Sequence, residues 1–588
     1  MYNNVNFQNG CYGYDIFNKY GKCIGFKEAG KEVVLDEICE SIENGEVIWK
    51  VSFNYLGRTK RFEFERKNIA KKDFVALLNA QGADVTSRTF NCFIDSMRLQ
   101  EDQITCATDT YNRTGWIKLP VNGKFEYHYR CGELLGTRDA EYTGNHVLKP
   151  KGSLTEWIEM VKKEVVGRVP METILLAALS APIVGIHGIN ATTDNPIYHI
   201  NGRSSTGKST ASCLAASVSG DPFEGMRTDY DSYGVLKDYT SIYGSWGTTP
   251  KATISTHAGN RGTVVILNEL GKFTGNDMTP VVFNLSEGSD IKRLNTSLET
   301  LVSEGFNTVF ISNGEMSLIN RCKTKLEGIK NRVMELTDPL TDSAEHSRRI
   351  KDCCVKNNGF AAPMIAQYII DNGGYQMIQE LYQEALVSLS AAKPEKINER
   401  FVEKFPVFLV MASKLAEQAL GIKFSTDAVV AYCYECVKRF TEKDGEVDAS
   451  YNDIIGECST HIKNFYNTRD RMTVPMQVWG AVSYPNRTEG NKVVTVEYGL
   501  KRNILKELLD KHGHPNMDTC IAIWKKAGVL NYEEGRNTRS RKIGINKGDE
   551  EDLYVLKVLV DAPKGASVSS KTNLAYLLSN SDDDEEVA

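Results

Sequence analysis

The chain has 588 residues, of which 41% are hydrophobic and 25% are charged, an ordinary composition for a globular protein. This length predicts about four domains, whose cores need no disulfide or metal for stability. With 70 basic and 76 acidic residues the net charge is −6, which excludes a protein that coats nucleic acid along its whole length but not a local basic patch.

The cysteines and the first residues indicate the compartment. The fourteen cysteines are scattered, and residues 1–13 are polar and lack the apolar core of a secretion signal. We therefore expect reduced thiols and a cytoplasmic location. Cys433 and Cys436 form the only CxxC pair. No second pair completes four ligands, so buried thiols are favoured over a zinc site.

Residues 1–118 predict a small α+β accessory domain. Apolar residues alternate with polar ones from Trp49 to Tyr55 and again from Phe62 to Glu65, which is typical of a half-buried β-hairpin. Helices are expected at 72–80 and 87–99. The mixed composition of residues 119–165 predicts a linker.

Residues 166–344 predict an α/β domain with a parallel sheet, because short apolar runs alternate with helical stretches. The apolar stretch from Thr173 to Ile189 is interrupted by Pro182 and Gly185. It is too short and too broken for a membrane span, so we expect a buried helix followed by a turn and no membrane partner.

A phosphate-binding loop is the strongest signal of this domain. A strand-like run at 196–200 precedes it and a helix at 210–218 follows it, and the sequence between them fits GxxxxGK[ST]. The predicted ATP-binding residues are Gly202, Arg203, Ser204, Ser205, Thr206, Gly207, Lys208, Ser209 and Thr210. Glycines let backbone N–H groups turn toward phosphate, and the helix N-terminus faces the same anion. Lys208 is predicted to pair with the β- and γ-phosphates, and Ser209 to bind Mg²⁺.

A buried strand that ends in an acidic residue is expected next. Residues 263–267 form such a run and lead into Asn268 and Glu269. Glu269 is predicted to polarise the attacking water, whereas Asn268 replaces the Asp that usually supports Mg²⁺. An Asn can bond to a metal-bound water but supplies no charge. The alternative interpretation is therefore a domain that mainly binds nucleotide and hydrolyses it slowly.

Polar residues also follow the next apolar run, 308–311. Asn313 is the first choice for a sensor that contacts the γ-phosphate and water, with Ser312 second; a simple strand cap is the alternative. Arg332 comes shortly afterwards. Its order suits an arginine finger that reaches the γ-phosphate of a neighbouring subunit, although a lone Arg in this context is also typical of a surface.

Three segments complete the chain. Residues 345–480 have mostly helical periodicity and predict a helical lid and connector. Residues 481–562 predict a compact DNA-binding domain. Residues 563–588 are rich in Ser and end in an acidic run, which predicts a disordered tail.

The order helix, turn, helix and hairpin within 481–562 predicts a winged helix. Helices are expected at 501–511 and 518–527, and strands at 529–532 and 541–543 are expected to pair with each other. Residues 501–545 contain ten basic and five acidic residues. This charge predicts duplex-DNA contacts, with protein docking as the alternative, through Arg536, Arg539, Arg541 and Lys542.

The order of these motifs resembles that of a known family. The phosphate loop is followed by Trp246-Gly247-Thr248-Thr249, then by Val265-Ile266-Leu267-Asn268-Glu269 and by Ile311-Ser312-Asn313-Gly314-Glu315. The pattern is similar to that of the MCM-like AAA+ self-loading replication helicases and initiators of phage, staphylococcal pathogenicity islands and cassette chromosomes. The likeness extends from Gly115-Trp116 to Leu420. Members usually carry Asp at the position of Asn268, which bears on catalytic strength and not on nucleotide binding.

The resemblance implies an AAA+ P-loop ATPase base at 166–344, in a homo-hexameric ring with ATP and Mg²⁺ at the subunit interfaces. Lys208, Glu269 and Asn313 would then act in cis and Arg332 in trans. Arg400 would be the second sensor, in the helical lid, and would contact ATP.

The resemblance also implies a β-hairpin that lines the pore, between the acidic strand and the sensor strand. Lys292 and Arg293 lie in that interval. They follow the turn-forming residues 288–290, and two adjacent cations suit contact with a DNA backbone. A solvated basic turn is the alternative.

These features predict an ATP-driven hexameric DNA helicase that moves on single-stranded DNA through the ring pore, with 3′ to 5′ polarity expected from the resemblance. It would also initiate replication of a mobile genetic element by binding the duplex origin through the winged helix. Host or element-encoded replication proteins would be further partners. The alternative is a nucleotide-switched DNA-binding initiator or regulator with weak ATPase activity and no unwinding. A metabolic P-loop kinase accounts for neither the lid nor the winged helix.

Overall fold

The computed structural model forms two compact units. The first contains Met1–Asn276, Pro280–Leu318 and Lys330–Cys433, and the second contains Asp277–Thr279, Ile319–Ile329 and Tyr434–Ala588. Within them the structure describes residues 4–70, 74–190, 194–203, 205–231, 234–275, 277–288, 293–294, 300–301, 305–322, 327–442, 449–467, 473–486, 495–512, 514, 517–546 and 548–559. The predicted tail, 563–588, lies outside the described residues.

The first unit begins with two antiparallel-rich sheets and two helices. Strands β1 to β3 form one sheet, and the other has the order β11-β7-β4-β5-β6. The elements are β1 (Val5–Gln8), β2 (Cys11–Phe17), β3 (Cys23–Lys31), β4 (Val33–Ser41), β5 (Val47–Tyr55), β6 (Arg58–Glu65), α1 (Phe74–Gln81), α2 (Phe90–Glu101), β7 (Thr108–Tyr111) and β11 (Glu141–Tyr142). The predicted hairpin is confirmed, because β5 and β6 pair antiparallel from Ile48 with Glu65 to Tyr55 with Arg58. Trp49 and Val51 point into the core, as their alternation with polar residues predicts.

The segment predicted as a linker, 119–165, is largely folded. It contributes to a three-stranded sheet of β8 (Gly115–Val121), β9 (Lys124–Arg130) and β10 (Leu134–Leu135), and then to α3 (Leu154–Met160). The buried guanidinium of Arg130 forms an ion pair with the buried carboxylate of Glu43. A linker would carry no such pair, since a buried charge is stable only with a partner.

A parallel five-stranded sheet forms the centre of the first unit, with the order β15-β16-β19-β12-β20. This confirms the predicted α/β class. Its elements and their neighbours are α4 (Val169–Leu179), α5 (Ala181–His187), β12 (Ile197–Asn201), α6 (Lys208–Ser217), β13 (Met226–Tyr230), β14 (Leu236–Thr240), β15 (Tyr243–Ser245), α7 (Pro250–Ser255), β16 (Val265–Asn268), α8 (Thr279–Glu287), β17 (Arg293–Leu294), β18 (Thr300–Leu301), β19 (Phe310–Gly314), α9 (Glu327–Lys330) and β20 (Val333–Leu336). Strands β16, β19 and β20 are buried along their whole length and β12 is buried except at Asn201, which is why they appear in the sequence as short, continuous apolar runs.

No single helix among the described residues is long and apolar enough to cross a membrane. Helices α4 and α5 reach that length and composition only as a pair, which bends by 41° between them. All residues from Met171 to Ile186 are buried in the first unit.

Helices follow the sheet. They are α10 (Ala344–Lys356), α11 (Ala361–Asp371), α12 (Gly374–Ala392), α13 (Glu399–Lys404), α14 (Pro406–Leu420) and α15 (Thr426–Glu442). Helix α10 packs on α6, and α14 packs on α4, α11 and α12. The boundary between the two units falls within α15. Cys433 and Cys436 are buried on this helix, and neither forms a disulfide.

The second unit contains a helix pair and a mostly antiparallel sheet of order β21-β22-β23-β26-β24. Its elements are α16 (Ala449–Thr460), β21 (Phe465–Asn467), β22 (Gly480–Asn486), β23 (Thr495–Leu500), α17 (Arg502–Lys511), α18 (Met517–Lys526), β24 (Leu530–Asn531), β25 (Arg539–Lys542) and β26 (Glu550–Leu559). Ile454 and Cys458 of α16 share one core with Leu505 and Trp524 of the helix pair. The folded unit therefore begins before residue 481.

The predicted pairing of the last strands is wrong. Strand β24 does not pair with β25; both pair with β26, an element that the sequence analysis did not place. Arg539 lies opposite Leu553, and Lys542 lies opposite Glu550. The physical reason is length: two residues in β24 offer few ladder hydrogen bonds, whereas the ten residues of β26 can serve both partners.

Candidate nucleotide-binding site

The predicted phosphate loop connects β12 to α6 at the carboxyl edge of the parallel sheet. Its last glycine, Gly207, has a φ of 90°, and a Cβ atom there would lie 2.7 Å from the side-chain oxygen of Thr341. Only glycine fits both conditions. The backbone N–H of Leu340 donates to the carbonyl of Thr206 at 2.9 Å and holds the loop from outside. Ser204 lies outside the described residues.

The ammonium group of Lys208 is held at the mouth of this loop. Its Nζ donates to the carbonyl oxygens of Gly202 and Arg203, both at 2.7 Å, and the residue is only 9% exposed. These acceptors are neutral, so phosphate oxygens can replace them with a gain in electrostatic attraction. Arg203 and Ser205 are exposed on the loop.

The first turn of α6 separates two hydroxyl groups. Ser209 is exposed, whereas Thr210 is buried with its hydroxyl 2.5 Å from that of Ser347 on α10. Thr210 therefore anchors the helix, and Ser209 keeps a hydroxyl that can face a metal ion. Hydroxyl, amide and carboxylate oxygens are the ligands that Mg²⁺ prefers. Ser209 and Asn268, the two predicted ligand residues, both supply such oxygens and fit the ion.

Asn313 brings the acidic strand to the phosphate-loop helix. The backbone N–H of Glu269 donates to Oδ1 of Asn313 at 3.0 Å, and Nδ2 of Asn313 donates to the hydroxyl of Ser212 at 2.8 Å. Glu269 itself adopts φ 60° and ψ 78°, a left-handed conformation that is uncommon for a residue other than glycine. This bond therefore fixes an unusual backbone at the predicted catalytic acid.

Ser312, the second choice for the sensor, has a different role. Its buried hydroxyl accepts from Nε1 of Trp246 at 2.8 Å and lies 2.9 Å from Nδ1 of His199. The other ring nitrogen of His199 lies 2.8 Å from the carbonyl oxygen of Met316. Burial lowers the pKa of this histidine, which keeps the ring neutral. Ser312 thus fixes neighbouring strands and does not face the loop.

The side chain of Asn268 is turned toward a carboxylate that the sequence analysis missed. Its Nδ2 donates to Oε1 of Glu224 at 2.5 Å. Burial raises the pKa of the Tyr243 phenol, and the charges of Glu224 and Glu269 raise it further. Both carboxylates therefore lie near one phenol beside the acidic strand. No sequence motif indicates Glu224, which follows β12 by 23 residues. Ser212, in contrast, could have been predicted to face the site, because it lies one helical turn beyond Ser209.

Arg332 and Arg400 lie away from the phosphate loop. Arg332 immediately precedes β20, at the amino edge of the sheet, where it pairs with Glu287 at 3.3 Å and lies over the ring of Phe283. One strand of about 15 Å separates this edge from the loop. Arg400 is exposed on α13 and is close enough to Lys404 to lower the pKa of its ammonium group, which burial lowers most.

Lys404 shows that this cluster belongs to the amino edge. It donates to Asp194, which precedes β12, at 2.6 Å and to Ser286 at 3.2 Å. Arg400 therefore lies near the amino edge and away from the phosphate loop of its own chain, and its role as a second sensor stays a prediction. Sequence order alone could not decide this, because it does not give the edge of the sheet on which α13 packs.

A β-hairpin lies in the interval where the resemblance implies one, and its place in a pore stays a prediction. Strands β17 and β18 pair antiparallel between the acidic strand and the sensor strand, with Arg293 opposite Leu301. Lys292 lies outside the described residues, and for Arg293 the structure describes only the backbone.

The predicted DNA-binding residues of the second unit differ in their surroundings. Arg541 donates to the buried carboxylate of Glu497 at 2.8 Å, which turns it inward. Arg539 donates to Oδ1 of Asn531 at 2.5 Å, and Arg536 pairs with Asp552 at 3.6 Å while staying 62% exposed. Lys542 is exposed. Arg536 and Lys542 are thus the most accessible cations of the four.

Comparisons with known proteins agree with this architecture. Residues 55–297 match a family described as a domain of unknown function (DUF927), and residues 446–561 match the Cch helix turn helix domain. A solved structure described as an active helicase, Cch of SCCmec type IV, is similar over 97% of this chain and 98% of its own, with a TM-score of 0.64 and 18% identity. A comparison with curated proteins finds no match. At this identity the likeness establishes a shared fold over nearly the whole chain.

Proposed function

We propose that the chain is an ATP-driven DNA helicase. The observation that carries this proposal is the pair of hydrogen bonds by which Asn313 joins Glu269 to the phosphate-loop helix through Ser212. A structural strand cap needs neither a left-handed acidic residue nor a link to that helix, whereas hydrolysis needs an acid and a polar sensor fixed against bound phosphate. The shared fold with a helicase and the match to a helix-turn-helix family support DNA as the partner.

In this proposal each residue of the site has a distinct task. The loop N–H groups and Lys208 bind the phosphates of ATP, and Glu269 orients and polarises the attacking water. Asn313 holds the backbone of Glu269 and presents its own amide to the same space. Mg²⁺, held by Ser209 and Asn268, would neutralise phosphate charge when bound.

A homo-hexameric AAA+ ring accounts for Arg332. Because about 15 Å of strand separates it from its own phosphate loop, it can serve only the ATP of a neighbouring subunit. Arg400 lies at the same edge and would act across the same interface. The hairpin of β17 and β18 would then face single-stranded DNA in the pore through Lys292 and Arg293.

The second unit would recognise the DNA site at which the helicase acts. The basic residues on and just before β25, namely Arg536, Arg539 and Lys542, suit contact with duplex DNA at a replication origin of a mobile element. Replication proteins of the host or the element would be further partners, and 3′ to 5′ movement is the expected polarity.

A second candidate is a nucleotide-switched DNA-binding initiator that hydrolyses ATP weakly and does not unwind. The neutral side chain of Asn268, where a carboxylate usually supports Mg²⁺, favours it. A strand-displacement assay on forked DNA, run with an ATP-turnover assay, separates the two. Helicase activity requires unwinding by the wild type and its loss in Lys208→Ala and Glu269→Gln. Turnover without displacement would favour the switch, and absence of turnover would contradict the motor.

A further inference from the structure

The acidic strand ends in a neutral amide that is bonded to a carboxylate from elsewhere in the chain. Nδ2 of Asn268 donates to Oε1 of Glu224 at 2.5 Å. A carboxylate only accepts hydrogen bonds, so the amide nitrogen must be the atom that faces it. The carbonyl oxygen of Asn268 therefore points to the other side of the amide. Asn268 thus has one polar atom for Glu224 and one for a further partner.

We propose that Glu224 supplies the negative charge at the magnesium site that Asn268 lacks. This inference rests on the proposed function, since it concerns the ion that accompanies ATP. Asn268 would bind a water of that ion through its carbonyl oxygen, and Glu224, held by the same amide, would provide the charge. Carboxylates that orient ligands from the outer shell of a metal commonly affect its affinity by 10- to 100-fold.

A chain of contacts connects Glu224 to the face of α6 that would carry the ion. Ser212 lies one turn beyond Ser209, and residues three apart share a helix face. The hydroxyl of Ser212 accepts from Asn313, which in turn holds Glu269. Burial raises the pKa of the Tyr243 phenol most, and the charges of Glu224 and Glu269 raise this pKa further. The carboxylate of Glu224 and the predicted catalytic acid therefore both lie near the phenol of Tyr243.

The loop that carries Glu224 is fixed although its side chain is exposed. Asp221 is 5% exposed, its N–H donates to the carbonyl of Val147 at 3.1 Å, and its own carbonyl accepts from Ser241 at 2.7 Å. Phe223, immediately before Glu224, is also buried. Hydrogen bonds and buried neighbours thus hold the backbone that carries the carboxylate of Glu224.

Glu224 also borders open space. It lines a cavity of about 630 Å³ together with Tyr243, Ser245 and Lys272. The exposed carboxylate is therefore accessible to water, and Mg²⁺ usually keeps several waters as ligands when it binds to proteins.

The test is nucleotide binding by the full chain as a function of Mg²⁺ concentration, read by the fluorescence of a labelled ATP analogue. Glu224→Gln keeps an acceptor oxygen for Asn268 but removes the charge. We expect about a tenfold rise in the Mg²⁺ concentration that gives half-maximal binding, with unchanged affinity for nucleotide in EDTA. Electron paramagnetic resonance of Mn²⁺ in place of Mg²⁺ gives a second readout of the ion itself.

Two variants separate charge from structure. Asn268→Asp in the Glu224→Gln background restores a carboxylate at the strand tip and should restore the wild-type Mg²⁺ requirement. Asp229→Asn removes an exposed carboxylate five residues away, on β13, and should leave it unchanged. If Glu224→Gln binds nucleotide with the wild-type Mg²⁺ requirement, the inference is wrong and the proposed function stands. If the wild type binds no nucleotide, both are wrong.

Discussion

Oδ1 of Asn313 accepts a hydrogen bond from the backbone N–H of Glu269 at 3.0 Å. The bond crosses between the tips of two adjacent parallel strands, and it involves the one backbone position there that has a left-handed conformation without being glycine. Sequence-distant groups are thereby fixed at the edge of the sheet where α/β proteins bind their ligands. The arrangement assigns Asn313 a positioning role, in addition to the phosphate contact that we propose for it.

Replacing Asn313 by Ala should therefore separate binding from hydrolysis. Loss of one positioned amide lowers turnover by about 100-fold in comparable sites. We expect a drop of about that size in kcat for ATP hydrolysis, with the affinity for nucleotide changed by less than about threefold, because Lys208 and the loop remain. Ser312→Ala, one residue earlier, is the control: its hydroxyl bonds Trp246 and His199, so it should lower the thermal midpoint more than kcat. Equal loss of nucleotide affinity and turnover in Asn313→Ala would contradict the positioning role.

The place of Arg332 at the far edge of the sheet predicts complementation between subunits. Arg332→Ala and Lys208→Ala should each be inactive alone. Mixed oligomers contain interfaces at which an intact Lys208 faces an intact Arg332, so ATPase activity should return on mixing to a level well above that of either variant. Arg348→Ala on α10, which removes another exposed arginine, should keep wild-type activity. Mixtures that stay inactive would count against action in trans.

The second unit offers a matched pair of basic residues on one strand. Lys542→Ala should weaken duplex binding and reduce the slope of log affinity against log salt by about 1, as expected for one phosphate contact. Arg541→Ala should act on stability, because it leaves the 4% exposed carboxylate of Glu497 without its ion-pair partner, at a cost of about 3 kcal/mol. Salt titrations of DNA binding and denaturant unfolding measure the two effects. The reverse pattern would show that Arg541 is the DNA contact.

Two partly buried histidines predict acid sensitivity of the first unit. Burial lowers the pKa of His187 to about 4 and that of His257 to about 3 in the folded chain. Below pH 6.5 the unfolded chain binds these protons and the folded chain does not, so the stability is lost as the pH falls from about 6.5 toward 4. Each histidine should reduce the free energy of unfolding by about 1–2 kcal/mol between pH 7 and pH 5. Denaturant unfolding at both pH values checks this, and His187→Gln should remove one share of the difference.

Local patterns predicted those features that depend on neighbouring residues. The hairpin of β5 and β6 follows from alternation, and the phosphate loop follows from glycines and Lys208 at fixed spacing. In both cases the physical cause lies within about fifteen residues. The same holds for α17, whose buried Leu505, Leu508 and Leu509 share one helix face.

Features that depend on distant partners could not be predicted. Arg130 is buried because it meets Glu43, 87 residues earlier, so its segment looks like a linker and folds as a sheet. Both short strands of the second unit, β24 and β25, pair with β26. No turn motif in the sequence predicts these pairings. Glu224 reaches Asn268 across 44 residues. In each case the structure depends on a partner that is distant in the sequence, and the local residue types do not indicate that partner.

Gly115 and Trp116 have a consequence for how such proteins can exchange modules in evolution. The N–H of Trp116 donates to the carbonyl of Arg261 at 2.7 Å, its indole donates to Pro182 at 2.6 Å, and a Cβ atom at Gly115 would lie 2.0 Å from the carbonyl oxygen of Arg261. Strand β8 is thus joined to the part of the chain that carries the parallel sheet by one main-chain and one side-chain hydrogen bond. A recombination event that joined a foreign N-terminal module at residue 118 would remove these contacts of Gly115 and Trp116. A recombination event that kept β8 and β9 intact would preserve them.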